Sequence, residues 1–202
     1  MNDNELLARI ENLENEVETL KVIIKMLKKD ADFSALKKTP EESYDPNEFD
    51  IENGILYKYL GKSEEVTIPY GVKIISENAF AGNNIIKKVN FPDTVTEIEE
   101  YAFCGCENLV EVNNTENITK IRSNTFYRCI KLEKININNV IKIGNYAFYE
   151  CESLKRIRCS DNLELIGSNA FKDCKILNVS IPDTCIIEVF ALSNCKNVKI
   201  RK

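Results

Sequence analysis

Apolar positions along the chain follow two different rhythms. In the first thirty residues they alternate spacings of four and three, at Leu6, Ile10, Leu13, Val17, Leu20, Ile24 and Leu27. That heptad seam predicts a coiled-coil helix over residues 1–30, with a seam about 33 Å long at ~1.5 Å rise per residue. Branched Ile10, Val17 and Ile24 take the a positions and leucine takes d, which favours two parallel strands. Arg9 with Glu14, and Glu16 with Lys21, attract across such an in-register dimer. Leu7 and Ile23 widen the stripe, which also suits a trimer or docking on the chain's own domain; a partner helix is a third occupant. A homo-oligomer, with a parallel dimer favoured, is the expectation. From 31 to 48 the pattern lapses into acids around Pro40 and Pro46, a linker composition.

From residue 49 onward the rhythm is long. An aromatic recurs at Phe80, Phe103, Phe126, Phe148 and Phe171, with Leu192 in the sixth place. The spacings are 21 to 23 residues. Three residues after each stands Asn83, Cys106, Cys129, Cys151, Cys174 or Cys195, and three further on Ile86, Leu109, Leu132, Leu154, Leu177 or Val198. Five before the first five aromatics stand Ile75, Ile98, Ile121, Ile143 and Ile166. Fixed columns at such a period predict a solenoid, in which each repeat packs only on its neighbours. One repeat buries about six apolar side chains at about 2 kcal/mol each. Ordering ~22 residues costs ~1–2 kcal/mol apiece, so a repeat folds only when stacked. Stretches such as Leu132 to Ile137 end in the period-two alternation of a strand.

The motif Ile-x-x-x-Ala-Phe-x-x-Cys-x-x-Leu-x-x-Ile, at Ile143 to Ile157, resembles the BspA-type leucine-rich repeat. Phe49 to Leu60 resembles the hairpin that often opens such domains, and Val66 to Pro69 looks like the first strand of the array. The resemblance implies a leucine-rich-repeat domain over 49–202: a hairpin cap at 49–62, then about six repeats whose parallel strands line a concave face. It also implies a non-enzymatic surface or interaction protein. An acidic start without an apolar signal core and no apolar run long enough to span a bilayer lead to an expectation of a cytoplasmic protein. The family resemblance leaves a cell-surface adhesin, reached by a non-classical route, as the alternative.

Composition narrows the chemistry. The chain has no histidine, so the commonest general base and most zinc sites are missing. No nucleophile stands with a base and no glycine loop could cradle phosphate; neither an enzyme, a metal nor a cofactor is expected. Eight cysteines without a C-x-x-C pair read as reduced thiols. Five lie in one column, where packing explains them and a redox ladder is the functional alternative; Cys104 is expected to be the exposed one. Charge is uneven: residues 1–100 carry 21 acids and 12 bases, net −9, and residues 101–202 carry 11 acids and 15 bases, net +4. The overall −5 argues against nucleic acid as partner, and the aromatics are spent in core columns.

The candidate binding face is therefore the outward side of the strands. One column reads Lys88, Glu111, Lys134, Arg156, Asn178 and Lys199, the next Asn90, Asn113, Asn136, Arg158, Ser180 and Arg201. Lys88, Glu111 and Lys134 alternate in sign and should pair across strands. Lys134, Arg156 and Arg158 then form a cationic group with no acid in the columns beside it. Its expected ligand is an acidic protein segment, and an ordinary solvated face is the plain alternative.

Overall fold

The computed structural model describes residues 44–202 and, ahead of them, Val17 alone. The rest of the predicted seam (Leu6, Ile10, Leu13, Leu20, Ile24 and Leu27) and linker residues 31–43 lie outside the described residues. Residues 44–202 wind into a β-solenoid. It opens with an antiparallel hairpin, β1 (Phe49–Glu52) and β2 (Ile55–Tyr59). Its two-residue turn is Asn53-Gly54 with both φ positive, at 52° and 77°, the mirror-image turn whose twist suits a hairpin. Tyr44 packs edge-on against Phe49, with centroids 6.0 Å apart.

Two parallel ladders climb the coil. The first holds β3 (Glu65–Thr67), β5 (Lys88–Asn90), β7 (Glu111–Asn113) and β9 (Lys134–Ile135), and then separately β11 (Arg156–Arg158), β13 (Asn178–Pro182) and β15 (Asn197–Arg201). The second extends β2 through β4 (Ile74–Ile75) and β6 (Glu97–Ile98), and separately joins β8 (Lys120–Ile121), β10 (Lys142–Ile143), β12 (Leu165–Ile166) and β14 (Ile186–Ile187). Alternation decides the orientation of each strand. Val89, Val112 and Ile157 are buried in the middle of their triplets while their neighbours face outward.

A third column holds the corner. Phe80, Phe103, Phe126, Phe148 and Phe171 are fully buried, and successive rings stack at 4.7, 5.4, 5.3 and 5.1 Å. Each Phe N–H donates to the carbonyl just before the aromatic position of the next turn, as from Phe126 to Ala147 at 2.8 Å. The cysteine column lies beside it as free thiols. Each Sγ donates to the Phe carbonyl of the turn before: Cys106 to Phe80 at 3.1 Å, Cys151 to Phe126 at 3.2 Å, Cys174 to Phe148 at 3.1 Å. Cysteine suits the column because it is small, apolar and still owns one proton for a buried carbonyl. Turns approach so closely that a Cβ on Gly144 would lie 2.6 Å from the backbone nitrogen of Ser123.

Two expectations need correction. In the last turn, β15 pairs Asn197 with Asn178, Val198 with Val179, Lys199 with Ser180 and Arg201 with Pro182. Lys199 and Arg201 thus sit two residues out of the register read from the repeat, and Val198 is a strand residue rather than a member of the leucine column. The cause is a shorter connection: Asn197 follows Cys195 by two residues, where Asn178 follows Cys174 by four. Because the slip is two residues, each side chain keeps its face. The thiols differ too. Cys104 is half-buried, as are Cys185 and Cys195, so it is not the single exposed one. The open last turn uncovers Cys185 and Cys195.

Candidate ligand-binding face

The outward side of the first ladder carries the candidate residues, set there by the strand alternation. In its first column the charges pair along the coil. Glu65 meets Lys88 at 3.0 Å and Glu111 meets Lys134 at 3.6 Å, so Lys88 takes Glu65 as its ion-pair partner. The bond from Lys88, with a second from Asn90, holds the Glu65 carboxyl below its ordinary pKa, and the same contact raises that of Lys88. Beside this column runs an amide relay: Asn113 Nδ2 donates to Asn90 Oδ1 at 3.0 Å, and Asn90 Nδ2 donates to Glu65 Oε1 at 3.1 Å. The relay does not pass to Asn136, whose Nδ2 donates to Glu116 at 3.3 Å and whose Oδ1 accepts from the Asn138 N–H at 3.0 Å.

The cationic group holds together differently from the sequence expectation. Arg158 does have an acid: Asp161, three residues on in the following turn, lies 3.5 Å away and also pairs with Arg201. Lys155 meets Glu133 at 2.5 Å. Arg156 is the exception. Among the described residues no carboxylate lies within ion-pair distance of it.

Here the first ladder stops. β9 ends one sheet and β11 begins the next. Among the described residues no strand pairing joins β9 to β11. A groove of about 700 Å³ opens at this break. Its walls include Lys134, Asn136, Arg156 and Arg158, and Val112 and Ile135 supply apolar surface. The second ladder also breaks, between β6 and β8, but there opposite charges span the gap as an Arg122–Glu97 ion pair. At the first break the consecutive members of the column are both cations.

The structure thus brings Lys134, Asn136, Arg156 and Arg158 to one groove, which Asn90 and Asn113 also line. It leaves Lys88 and Glu111 outside, spent on ion pairs along the coil. Asn114, Asn138 and Lys155 also line the groove without having been picked out from sequence; each lies one or two residues from a column position.

The column period, the stacked phenylalanines and the twin ladders match a single repeat family. A profile of the BspA type leucine rich repeat region matches residues 50–139 and 73–199, in six copies. This chain is a BspA-type leucine-rich repeat protein. Among solved structures, the BspA-type domain is similar to the leucine rich repeat protein of T. pallidum, with 25% identity and a TM-score of 0.61, over 81% of this chain and 86% of that one. It is also similar to a leucine rich cell surface protein from Faecalibacterium prausnitzii, with 29% identity and a TM-score of 0.59, over 69% of this chain but 38% of that one. A leucine-rich repeat protein from Bacteroides ovatus shares the fold at 24% identity and a TM-score of 0.54, over 72% of this chain and 48% of that one. No curated protein matches the sequence. Among the described residues no helix is long and apolar enough to cross a membrane.

Proposed function

We propose that the chain is a non-enzymatic protein-interaction module that binds a protein ligand through the outward face of its first ladder and is paired by its N-terminal heptad seam. One observation carries the reading. The inside of the coil is filled by the Phe, Cys and Ile columns, while the groove with its cationic wall lies on the outward strand face. Chemistry available there is recognition: amides that donate and accept, guanidinium and ammonium groups, and an apolar floor. Pairing two such chains doubles the faces presented and gives avidity without any new contact.

The test uses the full chain as bait in native lysate, beside a Leu13→Asn, Leu20→Asn variant and a Lys134→Ser, Arg156→Ser, Arg158→Ser variant. The seam variant should halve the mass measured by light scattering and release bound partners faster. The face variant should keep the mass and lose the partners. A face variant that retains every partner would overturn the reading.

One finding favours a second reading, a cell-surface adhesin. The F. prausnitzii relative is described as a cell surface protein. Fractionation of the source cells decides between the two, since an adhesin is protease-accessible on intact cells and an internal module is not.

A further inference from the structure

We propose that the break between β9 and β11 is a subsite for a single carboxylate of an extended peptide segment, with Arg156 as its charged partner. The inference rests on the interaction-module reading and specifies what the face recognises.

Charge bookkeeping along the column leads to it. Glu65 neutralises Lys88 and Glu111 neutralises Lys134. Arg156 comes next, and the column then passes to uncharged Asn178 and Asn197. Of the four cations that line the groove, Lys134, Lys155 and Arg158 each have an acid within 4 Å of the head group. Among the described residues one guanidinium, that of Arg156, is therefore unclaimed. Like charges in consecutive strand positions repel. A carboxylate at the break would end that repulsion and restore the alternation that the first four rungs keep.

Backbone chemistry agrees. Where two strands of the ladder part, the N–H and C=O groups of β9 and β11 that face the break lack the strand partners that the pairings β7–β9 and β11–β13 provide on their other sides. Beside them Asn113 Oδ1 has no donor among the described residues, because the amide relay runs away from the groove. Amide donors and acceptors in one place suit a peptide backbone, as a guanidinium suits a carboxylate. A densely charged polyanion suits the groove poorly. Glu116 and Glu133 line it as well, and among the described residues only one of its positive charges is free.

The experiment follows the ¹⁵N-labelled full chain by NMR during titration with N-acetyl-glutamate-N-methylamide. The matched glutamine compound and a heparin hexasaccharide are run in parallel. The Arg156 Nε–H signal and the amides of 133–137 and 155–158 should shift with the glutamate probe. The glutamine probe, and the glutamate probe on an Arg156→Gln variant, should need about tenfold higher concentration for the same shift. Equal responses to the two probes would overturn the subsite, as would shifts centred elsewhere on the face. Tighter occupancy of the same signals by heparin would overturn it in favour of a polyanion site. Arg156→Gln removes an unpaired charge, so it should melt no lower than wild type; should it fail to fold, Arg156→Lys and Lys134→Gln test the same point. The two readings fail separately. Partners retained by Arg156→Gln but lost from the triple face variant would sink the subsite and leave the module standing. Probe binding at the break with no partner lost from the triple variant would do the reverse.

Discussion

The fourth and fifth turns of the coil meet at the corner, along the second ladder and on the first strand face, and the corner and that face differ. At the corner, Phe126 stacks on Phe148 at 5.3 Å, Phe126 N–H reaches Ala147 O at 2.8 Å, and Cys151 Sγ reaches Phe126 O at 3.2 Å. On the first strand face β9 and β11 of the same turns do not pair among the described residues, and Lys134 is followed by Arg156. Apolar groups sealed from water hold the repeat to its period at the corner, while the first ladder parts where Lys134 is followed by Arg156. The corner and the second ladder, where β10 pairs with β8 and with β12, hold these turns together, which leaves the first strand face available for recognition.

The strongest way to break that contrast is to cut the corner. Phe126→Ala deletes a fully buried ring between two stacked neighbours and should cost about 3–5 kcal/mol. In a solenoid the loss spreads to adjacent turns, because each repeat folds only against its neighbours. Denaturant unfolding followed by circular dichroism would show it as a lower midpoint. A variant that unfolds at the wild-type midpoint would mean the strand face, and not the corner, holds the stack.

A smaller effect comes from alkali, which acts on the buried thiols of the corner. Burial pushes the Cys106 thiol up to about 12, and it raises Cys129, Cys151 and Cys174 well above their ordinary range. A group whose folded pKa exceeds its unfolded value contributes stability that is complete below the unfolded value, here 9.0, and is lost as pH rises toward the folded one. Each such thiol then removes about 1.4 kcal/mol per pH unit. Thermal melts should therefore fall steeply above pH 9, and the fall should be shallower in Cys129→Ala and Cys151→Ala. An equal slope in those variants would assign the alkaline loss to other groups.

The same contrast explains what could be read without a structure. The Phe, Cys and Ile columns were legible because burial at a fixed period tolerates few residue types, so Phe103 or Cys129 declares its place by identity alone. Where burial stops constraining identity, the reading slipped. Val198 passed for a member of the leucine column because the shortened last turn still puts an apolar residue near the expected place. Asp161 escaped notice because it sits in a turn, outside the strand columns, yet it reaches both Arg158 and Arg201. The clash of Lys134 with Arg156 was visible as two like charges at column spacing. That the ladder parts there was not, since a backbone hydrogen bond depends on the sum of both turns' connections rather than on any one side chain.

The smallest effect sharpens the comparison from the other side. Arg156→Glu would set an acid beside Lys134 and extend the alternation by one rung. Exposed pairs across neighbouring strands contribute only a few tenths of a kcal/mol, so the melting temperature should rise slightly at low salt. At ~1 M salt, where screening shortens to ~3 Å, the gain should vanish. If the charge clash is what parts the ladder, the amides of 133–137 and 155–158 should also exchange more slowly with solvent in this variant, because regained rungs protect them. A rise in melting temperature without that protection would mean that the connections of the two turns, and not their charges, keep β9 from β11.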